Sequence, residues 1–506
     1  MRKLSRNILS MAVMFAIALV MLSGCGKNTA VTSNEKNGKP VLKALINYMR
    51  EDPNTYPAVK DLEEKTGYIV RYDMLPQDNP EEKLNLIIAS NEDYDMIICT
   101  NSQKARWAEY ARQGALFPLD EWIAQYGENM RNVIKGSSFD LMKIDDKIYG
   151  IPTLGAAGGN DVGSFSSMLA VRGDWMDLAG TAQPQTLEEF TNLLQILKDK
   201  DFGSNKESNI PLVPSNVAEI VGVIGAFGVP NAWNEVDGAL LNRAEDLRYV
   251  EYLKYIAHLY EKGLIDREFA TNKPATIKEK FTSGKAGMMS LAYYDVASIT
   301  DALAKNVPNS SIRFLNPPIG KDGMRGIGES PNILDRFTFI PKSSKNPVET
   351  MKYIDLKLEQ DTFRLLAIGE EGKHYTIEDG QYIPIDPTFY DERSYSNNFL
   401  TGQDDEMYPI YWQARVRKDQ RIYDAFMYMR DDERSKFIVT NPIRNAPSLQ
   451  NEKHIQVLNQ MLSDFSMKIV VGASSVSEYD NFLKKWREEG GEELTKEVNE
   501  WYRINK

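Results

Sequence analysis

The chain has 506 residues, 42% of them hydrophobic, and a formal charge of −12. An acidic balance of this kind gives no general attraction for phosphate backbones, so nucleic acid is not an expected partner. The three histidines, His258, His374 and His454, lie far apart and show neither metal-ligand spacing nor a Cys/His catalytic pair, and no cofactor is expected.

In chain order, Arg2, Lys3 and Arg6 form a basic start, followed by an uncharged apolar stretch from Ile8 to Leu22. That stretch is shorter than the ~20 residues a spanning helix needs, and the segment after it is polar and flexible. Residues 1–24 therefore read as an export signal that is removed. Leu22-Ser23-Gly24-Cys25 resembles the lipobox of bacterial lipoproteins, which implies a diacylglycerol on Cys25, cleavage just before it, and a flexible tether over 25–40. Two acyl chains at about 0.8 kcal/mol per buried methylene hold a protein on a bilayer where one would not. Cleavage makes the mature chain three charges more negative, and with Cys25 acylated Cys99 has no disulfide partner. Ending the run Asp95-Met96-Ile97-Ile98, Cys99 reads as a small buried apolar residue.

The body is longer than the roughly 250 to 300 residues at which single cores stop growing, so two lobes are expected. Val41–Tyr48 reads as a buried strand, Pro57–Thr66 as a helix stopped by Gly67, and Tyr68–Tyr72 as a strand. Pro80–Ala89 follows as a helix and Tyr94–Thr100 as a strand. This βαβαβ run predicts a parallel sheet with helices on both faces. Ligands of such sheets bind at the carboxyl ends of the strands, which points to Asn47, Tyr48, Glu51 and Asp52 after the first strand and Thr100 and Asn101 after the third. Asp145–Pro152 reads as a tight hairpin, and the glycine-rich stretch Gly155–Gly163 suits a crossing between lobes. Thr186 and Glu189 form a capping box, opening a helix whose Leu187, Phe190, Leu193, Leu194 and Leu197 share a core-facing side. Trp233 and Trp412 fall in irregular, polar stretches. Aromatic rings on loops at a cleft suit sugars, because the apolar face of a pyranose stacks on a π surface. Arg336, on a short apolar run, is a candidate clamp for a carboxylate.

Eight segments, in order, carry a resemblance along nearly the whole mature chain: LEEKTGYIVRY (Leu62–Tyr72), DYDMI (Asp93–Ile97), GALFPLDEWI (Gly114–Ile123), DKIYGIP (Asp146–Pro152), VRGDWMDLAG (Val171–Gly180), FTSGKAGMM (Phe281–Met289), EGKHY (Glu371–Tyr375) and the stretch Ser477–Tyr502. Behind a lipobox, they resemble the family 1 extracellular solute-binding lipoproteins of ABC importers, in the large Gram-positive type found beside carbohydrate transporters. The resemblance implies a two-lobed type II clamp of the periplasmic-binding-protein kind, each lobe an α/β unit with a mostly parallel sheet. It implies a monomer, anchored by lipid on the outer face of the membrane, that delivers an oligosaccharide to permease subunits and is not an enzyme. It places Tyr293, Tyr294 and Asp295 near the ligand, after the strand that follows Gly284-Lys285-Ala286. The expected division is 41–155 for the first lobe, 156–315 for the second, 316–365 returning to the first, and 366–506 mainly in the second. Several relatives carry a calcium-like loop where this chain has Asp201, Asn205 and Glu207, but Gly203 and Ser204 break the alternation, and a solvated turn is expected instead of a metal site.

A lipid-anchored glycoside hydrolase is the alternative. It needs two carboxylates about 5 to 10 Å apart, and acidic residues are too abundant here for their presence to decide. No Gly-x-Ser-x-Gly elbow occurs.

Overall fold

The computed structural model describes residues 35–36, 38–155, 165–202, 209–329, 334–444, 446, 449 and 454–506. The expected export signal, Cys25, most of the expected tether, the glycine-rich stretch after Gly155 expected to cross between lobes, Asn205 and Glu207 lie outside the described residues. Eight strands build the two main sheets: β1 (Leu42–Ile46), β2 (Val70–Met74), β3 (Met96–Thr100), β4 (Ile151–Leu154), β5 (Ser167–Arg172), β6 (Met288–Ala292), β7 (Ile312–Leu315) and β8 (Leu334–Phe339).

The first sheet has the order β2-β1-β3-β8-β4. β1 runs parallel to β2 and β3, as the βαβαβ pattern requires, and β8 returns antiparallel between β3 and β4. The helices appear where their ends are marked. Pro57–Thr66 starts on a proline that needs no intrahelical N–H partner and stops at Gly67, which takes a left-handed φ of 70°. Pro80–Ala89 also starts on proline and carries Glu81 and Glu82 in its first turn, facing the positive end of the helix dipole. Side chains alternate across the sheet: Leu42, Ala44, Ile46, Met96 and Ile98 enter one core, and Leu45, Ile97 and Cys99 the other. Cys99 is fully buried, and burial pushes its thiol up, away from the reactive thiolate.

The second sheet has the order β6-β5-β7, with β5 antiparallel to both neighbours. This departs from a mostly parallel sheet, and the reason is topological. β6 and β7 run the same way and are joined by the helix Val296–Asn306, as in any parallel crossover, but β5 lies between them in the opposite direction. Single parallel bridges, Ile210 to Ala286 and Val213 to Met289, extend this sheet beyond β6. The expected capping box is present at Thr186 and Glu189, and Phe190, Leu193, Leu194 and Leu197 are buried against Leu169, Val171 and Met288.

The division of the chain between these bodies differs from the expected one after residue 365. The helices α1 (Gln360–Ile368) and α2 (Tyr408–Val416) pack on the first sheet, where Phe363, Leu366, Phe399, Tyr408, Tyr411 and Ala414 share a core with Leu42 and Ile98. From Val416 onward the side chains change partners: Val416, Ile422, Phe426 and Met429 pack with Phe165, Met168 and Tyr293. The C-terminal helices then join the second body through Phe465, Ile469 and Tyr479.

Candidate ligand-binding site

The carboxyl end of the first sheet is organised by one side chain that the sequence reading passed over. Gln103 Oε1 accepts from the Thr100 backbone N–H and hydroxyl, each at 2.8 Å, and its Nε2 donates to Asn47 Oδ1 at 3.0 Å. Asn47 Nδ2 in turn donates to the Ile98 carbonyl at 3.2 Å. Asn47 and Thr100 are thus brought together as expected, on neighbouring strands, and held in fixed rotamers. The signal for Gln103 was in the chain: a glutamine three residues after a threonine is a capping-box pattern. Asn101 opens the short 3-10 turn between Thr100 and Gln103, and Tyr48 stands exposed just past β1.

Arg336 lies on β8 in register with Thr100, at the same sheet end. Its guanidinium is engaged within the first body, donating to Asp335 Oδ2 at 2.9 Å, the Asn397 carbonyl at 2.6 Å and Asn398 Oδ1 at 3.2 Å. It is a strut between β8 and the 396–399 turn instead of an open clamp. Asp52 caps the turn Pro53–Thr55, accepting from the Asn54 N–H at 2.9 Å, and Asn54 bonds the backbone of Tyr72 on both sides. Glu51, next to it, is exposed. This pair lies on the turn that follows β1, which Asn54 ties to β2.

Where the bodies meet, aromatic rings dominate. Trp412, on α2, packs against both the first-sheet core and the cluster of Tyr293 and Phe426. Its indole N–H donates to the Tyr293 hydroxyl at 3.2 Å. Tyr293 meets Tyr294 and Phe426 edge-on, each with ring centroids 5.2 Å apart, and Tyr408 meets Trp412 at 6.1 Å. Tyr293 is buried, and burial raises its phenol above the ordinary value, opposed by the Trp412 N–H and the Arg430 charge. Arg430 stacks 3.8 Å over the Phe426 ring, and burial pushes its guanidinium down to about 10. Tyr294 is 58% exposed beside this cluster. Asp295 pairs with Lys278 at 3.0 Å. Tyr408 is pushed up to about 12, chiefly by burial, with Arg336 and Asp335 acting on it as well, which ties the start of β8 to the same group.

Trp233 is not part of it. The residue is 3% exposed and packs among Leu240, Leu458, Trp486, Leu494 and Val498. It begins a hairpin in which Trp233–Val236 pairs with Ala239–Asn242 across Asp237 and Gly238, both with positive φ. An Asp-Gly pair between apolar residues is a hairpin signal, and it outweighs the loop-like Gly and Pro before it.

A cavity of about 390 Å³ opens beside Tyr293, whose backbone N–H donates to the Ser166 carbonyl at 3.0 Å. Ser166, Ser167, Ser215, Glu219, Asn231 and Arg243 line it. They come from distant stretches, and no spacing in the chain announces them. Asp201 alone of the candidate calcium ligands is described, and among the described residues no group of three or more His, Cys, Asp or Glu could hold a metal. Among the same residues no helix is long and apolar enough to cross a membrane.

Two α/β bodies linked by returning strands, with a polar sheet end on one and an aromatic, cavity-bearing face on the other, define a two-lobed solute-binding fold. The family model of bacterial extracellular solute-binding proteins matches residues 47–358, and the chain belongs to that family. It is therefore an extracellular binding protein and not an enzyme. It is 24% identical to lipoprotein LipO of Bacillus subtilis over 97% of each chain. It is 22% identical to the polygalacturonan/rhamnogalacturonan-binding protein YtcQ of the same organism over 96% of each chain. Among solved structures it resembles the Streptococcus pneumoniae ABC-transporter substrate-binding protein FusA in complex with kestose, with a TM-score of 0.73 at 19% identity, covering 92% of this chain and 100% of that one.

Proposed function

We propose that this protein captures an oligosaccharide between its two bodies and delivers it to the permease of an ABC importer, acting as a monomer held on the outer face of the membrane by lipid on Cys25. The observation that carries the reading is the seam in which Trp412 of the first body, flanked by Tyr408, meets Tyr293 of the second, flanked by Tyr294. The first body adds polar groups at its sheet end, the Asn47 amide and the Thr100 hydroxyl, the former held in place by the buried Gln103 and the latter donating to it, and rings with such groups suit the apolar faces and hydroxyls of sugars. The names of YtcQ and FusA support a glycan as ligand. In this reading the first lobe comprises 41–155 and 334–414, and the second 165–315 with the C-terminal helices. A solute touching both favours the closed arrangement by its differential affinity, which alone can drive closure.

The test is a melting-temperature screen of the full chain in mild detergent against plant and microbial glycans. At a hundredfold excess over the dissociation constant a true ligand adds about 2.7 kcal/mol of stability. A panel without any stabilising glycan would overturn the reading, and steady release of reducing sugar would favour a hydrolase. Labelled palmitate should mark the parent but not Cys25→Ser; label on the variant would refute the anchor.

A further inference from the structure

The cavity beside Tyr293 carries information about the charge of the solute. Its volume, about 390 Å³, falls within the ~300 to 1,000 Å³ range of small-molecule sites. Its wall is built before any ligand arrives. Asn231 Nδ2 donates to the Val439 and Thr440 carbonyls at 3.1 Å each. A Cβ on Gly328 would stand 2.4 Å from the Pro230 carbonyl oxygen, so this approach needs a glycine.

Among the described lining residues Arg243 is the one cation, against two carboxylates, Glu219 and Glu329. Glu329 is buried and satisfied, with one oxygen accepting from Asn441 N–H at 2.8 Å and the other from Arg444 at 3.0 Å. Arg243 is 7% exposed. It gives Nη1 to Glu219 Oε2 at 2.7 Å and Nη2 to the Pro230 carbonyl at 3.2 Å, and its Nε has no acceptor among the described residues. Each terminal nitrogen thus already gives an N–H to the protein, and the Nε, which would complete a side-on fork, is itself buried, so no open fork faces the cavity. The Glu219 side chain, by contrast, is 52% exposed at the cavity. Arg336, at the carboxyl end of the first sheet, is bound to Asp335 and the 397–398 stretch. Among the described lining residues the charged group most open to solute is thus an anion, beside Ser166, Ser167 and Ser215.

We infer that this cavity takes an uncharged sugar unit, with Glu219 accepting hydrogen bonds from its hydroxyls, and that it discriminates against uronates. The inference rests on the glycan-capture reading and adds the charge class of the ligand. Sugar hydroxyls donate to a carboxylate in strong, charge-assisted bonds. A uronate carboxylate in the same place would confront Glu219 with no released cation, inside a protein whose net charge of −12 already repels polyanions.

The test is calorimetric titration of the full chain in mild detergent with matched trisaccharide pairs: galactose against galacturonate, mannose against mannuronate and glucose against glucuronate. For a pair that binds, the neutral member should bind at least tenfold more tightly. Glu219→Gln, which keeps an acceptor for Arg243 but drops the charge, should narrow that gap to threefold or less by improving the uronate. A uronate that binds the parent as tightly as its neutral partner would overturn the inference and leave glycan capture standing. An unchanged gap in a folded Glu219→Gln would also overturn it. Should Glu219→Gln fail to fold, the parent titrations alone decide. No binding by any of the six sugars would overturn this inference, and the melting screen then judges the wider reading separately.

Discussion

The core around Trp233 and the seam around Trp412 are both built on an indole among apolar side chains, and they differ in which bodies supply the neighbours. Trp233 is enclosed by Leu240, Trp486, Leu494 and Val498, all of the second body and its C-terminal helices. Trp412 is shared: it packs on the first core through Tyr408 and reaches Tyr293 of the second with its N–H. A ring enclosed by one body contributes to folding and nothing else. A ring shared between two bodies has contacts that depend on how those bodies sit, so a solute entering the seam can replace them.

The comparison is broken or upheld most directly by truncating the first indole. Trp233→Ala should cost roughly 3 to 5 kcal/mol of folding free energy, read by urea unfolding, while protein that remains folded binds glycan like the parent. Loss of affinity in folded Trp233→Ala would place it in the site after all. Trp412→Ala should show the reverse balance, a smaller loss of stability and about 2 kcal/mol or more of binding by calorimetry, where 2.7 kcal/mol is a hundredfold in affinity. Normal binding by Trp412→Ala would remove the seam from the account.

The interior of the first body offers a contrast of another kind. Lys357 is buried, donates to the Phe399 carbonyl and lies 5.0 Å from the Tyr353 ring centroid. Burial pushes its ammonium down from 10.5 to about 7. Between those values the unfolded chain holds the proton and the folded chain does not, so stability rises with pH through this window and falls as pH drops toward 7. A single proton gives at most about 1.4 kcal/mol per pH unit. Urea midpoints of the parent should therefore climb from pH 7 to 9 relative to those of Lys357→Met; parallel profiles would show that Lys357 does not titrate there. The smallest effect is expected from Tyr293→Phe, which removes the acceptor for Trp412 while keeping the ring. It should shift stability by about 1 kcal/mol and leave glycan stacking largely intact. A loss of affinity as large as that of Trp412→Ala would mean the hydroxyl, not the ring, contacts the sugar.

Much of the first sheet was legible because its signals are local. Prolines open Pro57–Thr66 and Pro80–Ala89, Gly67 closes the first of these, and apolar runs mark β1 and β3. Asn47 and Thr100 followed from strand ends alone. The second body was less legible because its central strand is paired by topology: nothing near Ser167–Arg172 tells that β6 and β7 will flank it in the opposite direction. Trp233 was misread for the same reason. Its cover, Trp486 and Leu494, comes from some 250 residues further along the chain, and only Asp237-Gly238 hinted at a hairpin. The cavity residues Ser166, Glu219, Arg243 and Asn441 are joined by folding and share no motif. The longer return to the first body, through Tyr408 and Tyr411, was likewise invisible in a helix whose apolar face fits either core.

The central claim, that solute is held between the two bodies, is tested most directly by small-angle scattering of the detergent-solubilised full chain with and without the best glycan of the melting screen. The radius of gyration of the parent should fall at saturation, and that of Trp412→Ala at the same glycan concentration should stay at the ligand-free value. An unchanged radius in the parent, with binding saturated by calorimetry, would contradict closure over the solute.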